Sequence, residues 1–120
     1  MFKSKNNKEK GFDLSGITPI SMEDFPEWVL KNIRVVSETK CEFTLQFSPA
    51  LAIHGMQCVE RKDKSGYFVA PPQTSYKVKE GFYKNRNNAF IYLDDNFTDE
   101  IIRQILEDVG AEDENGGSSI

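Results

Sequence analysis

The stretch Cys41-Glu42-Phe43-Thr44-Leu45-Gln46-Phe47 decides the fold, because its apolar and polar residues alternate one by one. Successive side chains of a β-strand point to opposite faces, so this period places the odd-numbered residues on one buried face. Ser48-Pro49 interrupts the pattern, and Leu51–Lys62 then predicts a second, longer strand. Gly55 lies within it and indicates a β-bulge or a sharp bend, as found where a sheet curls into a barrel.

Further strands are predicted on both sides of this pair. A short helical turn near Ser21 leads into a strand around Trp28–Val36. After the polar turn Lys62–Gly66, the segment Tyr67–Ala70 predicts another strand, which the dipeptide Pro71-Pro72 ends because proline cannot donate to a ladder.

The region that follows is harder to assign. Residues Gln73–Asn88 show no sustained apolar period, which predicts a long loop or an irregular hairpin. Ala89–Leu93 is a further strand candidate. Two aromatic residues that flank this region, Phe68 before it and Phe90 after it, are expected in the core.

The C-terminal part predicts one amphipathic helix. Apolar residues recur there every four positions, at Phe97, Ile101, Ile105 and Val109. We expect Thr98 as the N-cap and Gly110 as the stop, which gives a helix at about residues 98–109.

These elements predict a mainly β protein with five or six antiparallel strands and one C-terminal α-helix. A chain of 120 residues fits one hydrophobic core, which we assign to residues 12–110. Residues 1–11 predict a flexible N-terminal arm, and residues 111–120 predict a disordered, acidic tail rich in Gly and Ser. No apolar run approaches the roughly 20 residues that a membrane span needs.

The charges of the chain are segregated. Residues 1–92 carry 14 Lys or Arg against ten Asp or Glu, whereas residues 93–120 carry one Arg against nine acids. The isoelectric point near 5.0 therefore does not exclude nucleic acid as a partner, because the body of the chain is basic.

Catalytic and metal-binding patterns are weak. The single histidine, His54, predicts a packed or surface imidazole, and Cys41 and Cys58 predict free, buried thiols in a reducing compartment. Asp94-Asp95 directly precedes the helix, which favours a turn or capping role over a metal site. No phosphate-binding glycine loop or zinc-ligand spacing is present. We therefore predict no enzyme activity, no cofactor and no small-molecule substrate.

One segment combines aromatic and basic residues in the way that single-strand binders need. Cations follow the phosphates, while aromatic faces stack on unpaired bases. We predict Tyr67, Tyr76, Tyr83 and Phe82 as stacking residues and, as phosphate contacts, Lys62, Lys64, Lys77, Lys79, Lys84 and Arg86. The alternative is a β domain whose aromatics belong to the core and whose lysines form a solvated rim.

Two stretches carry a resemblance to a known family. Ser48-Pro49-Ala50-Leu51-Ala52-Ile53-His54-Gly55 runs into Gly66-Tyr67-Phe68-Val69-Ala70-Pro71-Pro72-Gln73, and Tyr76-Lys77 is followed by Phe90-Ile91-Tyr92. Over roughly residues 28–110 the chain resembles the single-stranded DNA-binding proteins of small tailed phages that infect lactococci. The resemblance implies an oligonucleotide-binding-like antiparallel β-barrel that acts in phage replication and recombination.

The combined expectation is a homodimer or higher homo-oligomer that coats and protects single-stranded DNA without sequence preference. Its further partners would be a recombinase or a replication protein. We expect the protein in the cytoplasm, which is that of the host cell if a phage encodes the protein. Met56–Glu60 with Gly66–Gln73 also resembles the septation-regulator family, which leaves a binder of duplex DNA or RNA as one alternative. A small protein-interaction module is the other.

Overall fold

The computed structural model describes residues 15–110, which form two antiparallel sheets and one long helix. A 3₁₀ turn at Met22–Asp24 precedes the strands. The elements in chain order are β1 Val29–Ser37, β2 Lys40–Ser48, β3 Leu51–Glu60, β4 Tyr67–Ala70, β5 Gln73–Lys77, β6 Tyr83–Asn87 and α1 Asp95–Val109. Strands β1 to β4 form a meander, and β5 pairs with β6 alone.

The mainly β prediction, with six antiparallel strands and a C-terminal helix, is confirmed for the described part of the chain. Over residues 15–110 the two sheets do not join into a closed barrel. The predicted arm at residues 1–11 and the predicted tail at residues 111–120 lie outside the described residues. Within the described part, no helix combines the length and apolarity that crossing a membrane requires.

Two β-bulges bend the four-stranded sheet around the middle of β2. Phe43 pairs with Met56 and Leu45 with Ile53, so that two residues of β3, the second of them Gly55, lie opposite Thr44 alone. Gly55 has φ +82°, a left-handed conformation that glycine adopts without steric cost, and the predicted bulge is confirmed.

The second bulge lies on the opposite neighbour of the same strand. Lys31 pairs with Thr44 and Arg34 with Glu42, which leaves two residues of β1 opposite one residue of β2. The first of those two, Asn32, has φ +55°, and asparagine is one of the few side chains that tolerates this region. Bulges bend the strand that carries them and increase its local twist.

The core lies between that inner face and α1. Three of the alternating apolar residues of β2 are buried as predicted, with Phe43, Leu45 and Phe47 at most 2% exposed, whereas Cys41 is half-buried and the polar Thr44 is itself only 5% exposed. The remaining buried members of this cluster are Met56, Cys58, Phe97, Ile101 and Ile105. Helix α1 therefore closes one side of the sheet through the same apolar period that predicted it.

The helix starts earlier than the sequence analysis predicts, and its N-cap is Asp94 instead of Thr98. The Asp94 carboxylate accepts a hydrogen bond of 2.9 Å from the backbone N–H of Phe97. The predicted stop is confirmed, because Gly110 has φ +64° and its N–H donates to the carbonyl oxygen of Leu106.

Replacing Asp94 with alanine is expected to lower the free energy of unfolding by about 0.5–2 kcal/mol, because the cap bond to Phe97 is lost. Thr98→Ala is the matched control, since Thr98 lies inside the helix. Urea unfolding followed by circular dichroism measures both variants. A larger loss for Thr98→Ala than for Asp94→Ala would contradict the assignment of the cap.

Three further predictions need correction. Residues Ala89–Leu93 form no strand; Leu93 makes only an isolated bridge to Ile20. Phe68 and Phe90 are not core residues, since 36% of the first and 52% of the second is exposed. Phe68 alternates with Tyr67 along β4, and it is Tyr67 that packs against the core. Phe90 lies outside regular structure, so no strand period directs it inward.

Candidate nucleic-acid interface

The stretch predicted as a loop or an irregular hairpin is a regular hairpin of β5 and β6. It has no apolar face, and polar side chains tie its strands together. The Gln73 amide donates to Asn87 at 2.9 Å, and the Ser75 hydroxyl donates to Asn85 at 2.7 Å. On the opposite face the Asn88 amide donates to the Thr74 hydroxyl at 2.8 Å.

The loop at the tip of the hairpin is closed by two backbone hydrogen bonds. The N–H of Val78 donates to the carbonyl oxygen of Phe82 at 2.8 Å, and the N–H of Gly81 donates to that of Val78 at 2.9 Å. Phe82 sits at this tip with 68% of its surface exposed, and Lys79 beside it is exposed as well. The tip therefore presents one free aromatic ring and one cation to solvent.

One face of the hairpin brings together three of the predicted residues. Tyr76 lies directly opposite Lys84 in the ladder. Arg86, two residues further along β6, places its guanidinium carbon 5.9 Å from the centroid of the Tyr76 ring, which is within reach of a cation–π contact. Tyr76 keeps 43% of its surface exposed, so the ring remains open to a ligand.

The other face carries a second pair. Tyr83 is 69% exposed and lies directly opposite Lys77. Over residues 73–88 the chain has three Lys and one Arg against a single acid, Glu80. Both faces of the hairpin thus combine an exposed phenol ring with at least one cation, in a segment of net positive charge.

The remaining predicted residues lie elsewhere. Lys62 and Lys64 are exposed in the turn between β3 and β4. In that turn the N–H of Ser65 donates to Asp63, and the hydrogen bonds with Ser65 hold the pKa of the Asp63 carboxyl below its usual value. Tyr67 is half-buried against the core, which leaves less of its ring open than in the other three aromatic candidates.

Sequence reasoning assigned two exposed aromatic side chains, Phe68 and Phe90, to the core, and of these two Phe68 lies on a strand. The period of two in β4 separates Phe68 from Tyr67 and Val69, but it does not by itself say which face is buried. Val69 lies opposite the buried Cys58, so the residues on either side of Val69 face the other way.

The described residues offer few groups for metal binding or nucleophilic catalysis. Residues 15–110 contain no cluster of His, Cys, Asp and Glu that could hold a metal ion. Cys41 and Cys58 lie opposite each other on β2 and β3 as free thiols. Burial, together with the charge of Cys41, raises the pKa of Cys58 to about 12, so this thiol is protonated at neutral pH and is a poor nucleophile. His54 is engaged through its Nδ1 with the Thr44 hydroxyl at 2.9 Å.

Comparison of the chain with known protein families, with curated proteins and with solved structures found no match.

Proposed function

We propose that this protein binds single-stranded DNA, using the β5–β6 hairpin as its principal contact. The observation that carries the proposal is the placement of Tyr76 and Tyr83 on opposite faces of one exposed, basic hairpin. Aromatic side chains in a folded domain are on average largely buried, whereas Tyr76 is 43% and Tyr83 69% exposed. Stacking on an unpaired base contributes about 1–3 kcal/mol for each ring.

The cations of the hairpin supply the second half of such a contact. Lys84 and Arg86 border the Tyr76 ring, and Lys77 borders the Tyr83 ring. A strand whose base stacks on either ring brings its phosphates within reach of these side chains, and counterions are released from it. Attraction and stacking then act on the same nucleotide.

The hairpin has little capacity to read sequence. Base identity is read by hydrogen bonds to base edges, and asparagine and glutamine are common readers. Each of the amides of Gln73, Asn85, Asn87 and Asn88 has one of its two polar ends bound across the strands, so none has both ends free for the bidentate contact that reads adenine. Binding without sequence preference, as in a protein that coats DNA during replication and recombination, fits this arrangement.

A fold resembling an oligonucleotide-binding barrel is part of the same proposal. The bulged four-stranded sheet and α1 are compatible with it, since bulges are the devices by which sheets bend towards closure. We also propose that the protein works as a homodimer or a higher homo-oligomer. One such barrel covers roughly 4–16 nucleotides, and joining several lengthens the bound site.

The individual replacements Tyr76→Ala and Tyr83→Ala are expected to weaken binding of a fluorescent oligothymidine by about 1–3 kcal/mol each. Both rings are exposed, so the thermal midpoint should stay within a few degrees of that of the unchanged protein. Fluorescence anisotropy measures binding, and circular dichroism measures stability.

The matched controls are Tyr76→Phe and Tyr83→Phe, which keep the ring and remove only the hydroxyl. They should retain most of the affinity if stacking is the interaction. Competition with a duplex of the same sequence tests the strand preference, and a preference for the duplex would favour the septation-regulator-like alternative. Alanine variants that lose stability but keep their affinity would contradict the proposed site.

A further inference from the structure

A cleft of about 300 Å³ opens where the β1–β2 turn meets the β3–β4 turn. Its lining combines an aromatic ring with three cations. The residues that form it include Thr39, Val59, Arg61, Lys62, Lys64 and Phe68. This cleft is separate in the chain from the β5–β6 hairpin, and among its lining residues only Lys62 and Lys64 belong to the predicted phosphate contacts.

The backbone fixes the shape of the cleft. The N–H of Glu60 donates to the carbonyl oxygen of Thr39 at 2.8 Å, which ties the end of β3 to the β1–β2 turn. The N–H of Arg61 donates to the carbonyl oxygen of Gly66 at 2.8 Å and closes the neighbouring turn. Two fixed turns therefore form the walls.

The aromatic ring of the cleft lies on the outer face of the sheet. Phe68 lies directly opposite Val59 and is 36% exposed. Arg61 places its guanidinium carbon 5.2 Å from the centroid of the Phe68 ring. A flat cation thus covers an aromatic ring at the surface, and because Arg61 is itself exposed, a flat ligand can take its place at low cost.

The charge of the cleft favours an anionic ligand. Residues 61–66 contain Arg61, Lys62 and Lys64 against the single acid Asp63, whose carboxylate is held by Ser65. Glu60 also lines the cleft and removes one further positive charge, which leaves a net charge of about +1. A ligand that brings one phosphate and one aromatic ring matches this arrangement.

We propose that this cleft is a second contact for the same DNA strand and holds a single nucleotide of it. The base stacks on Phe68 and displaces the guanidinium of Arg61, which turns to the phosphate with Lys62 and Lys64. The inference rests on the proposed single-strand binding and adds a second aromatic platform to it. A strand that reaches both the hairpin and the cleft has a longer footprint than one held by the hairpin alone.

The test uses the full chain, a fluorescent oligothymidine and the variants Phe68→Ala and Phe68→Trp. Phe68→Ala is expected to weaken binding about 5- to 150-fold, the range that the loss of one stacked base gives. Phe68→Trp should retain binding, and its added fluorescence should be quenched as oligothymidine is titrated. The unchanged protein, whose only tryptophan is Trp28, gives the background to subtract. Val35→Ala, an exposed change outside the cleft, is the control.

The outcomes separate the two proposals. Unchanged binding by Phe68→Ala, together with weakened binding by Tyr83→Ala, overturns the cleft and leaves the hairpin site standing. Normal binding by Phe68→Ala, Tyr76→Ala and Tyr83→Ala overturns both. If Phe68→Ala proves unstable, Phe68→Trp decides: quenching at the same oligothymidine concentration as binding supports the cleft, and binding without quenching overturns it.

Discussion

Replacing Phe97 with alanine is expected to lower the free energy of unfolding by about 3–5 kcal/mol. The Phe97 side chain is fully buried, and its ring centroid lies 4.9 Å from that of Trp28 and 6.2 Å from that of Phe47. Removing the ring leaves a cavity between α1 and the sheet and deletes both aromatic contacts. In a domain of this size the thermal midpoint should fall by more than about 12 °C.

Thermal and urea unfolding, both followed by circular dichroism, measure this change. Phe82→Ala is the matched control, because it removes the same ring from a position that is 68% exposed. It should alter stability by no more than about 0.5 kcal/mol. If the two variants lose similar stability, α1 does not pack on the sheet through Phe97.

Raising the salt concentration from about 50 to 200 mM is expected to weaken oligothymidine binding on the order of 10²- to 10³-fold. This range follows if the six predicted cations meet phosphates, each contributing a slope of about 0.7 in log K against log salt, and it also holds if Arg61 adds a seventh contact. The six predicted cations are Lys62, Lys64, Lys77, Lys79, Lys84 and Arg86. Anisotropy titrations at four or five salt concentrations give the slope directly.

The triple variant Lys77→Gln, Lys84→Gln, Arg86→Gln should reduce that slope by about 2. The matched control is Arg103→Gln, because Arg103 is engaged by Glu100 and Glu107 on α1 and is not expected to meet a phosphate. Binding that hardly responds to salt would favour a protein-interaction module that uses the same aromatic face.

The sequence predicts the fold where one period dominates. The alternation in β2 and the four-residue spacing in α1 each identify a buried face, and the structure packs those two faces together. Gly55 is equally informative, because few other residues accept the backbone conformation of that bulge. Neither period determines whether the sheet closes, which depends on how many strands pair.

Residue propensity alone does not determine where the helix starts. Asp94 and Thr98 are both good N-cap residues, so propensity does not separate them. Phe97 does, since it is the first buried position of α1 and must already lie inside the helix. A cap at Thr98 would leave Phe97 outside the period that buries it.

The candidate site was only partly predictable for a related reason. Tyr67 and Phe68 are adjacent aromatics on one strand, so one faces the core and the other faces outward, but size and hydrophobicity do not say which. The pairing of Val69 with Cys58 decides it. For Tyr76 and Tyr83 the register of the hairpin is needed, because it places them on opposite faces.

The β5–β6 hairpin is held together by polar side chains, so its stability depends on the ligand that it binds. A two-stranded ribbon without an apolar face is marginally stable in water, and β5 and β6 are bonded mainly to each other. Such a segment opens locally at a lower free energy than the core strands do. A nucleic acid bound across both faces would therefore act as the missing hydrophobic layer, and the affinity measured for it would include the free energy of ordering the ribbon.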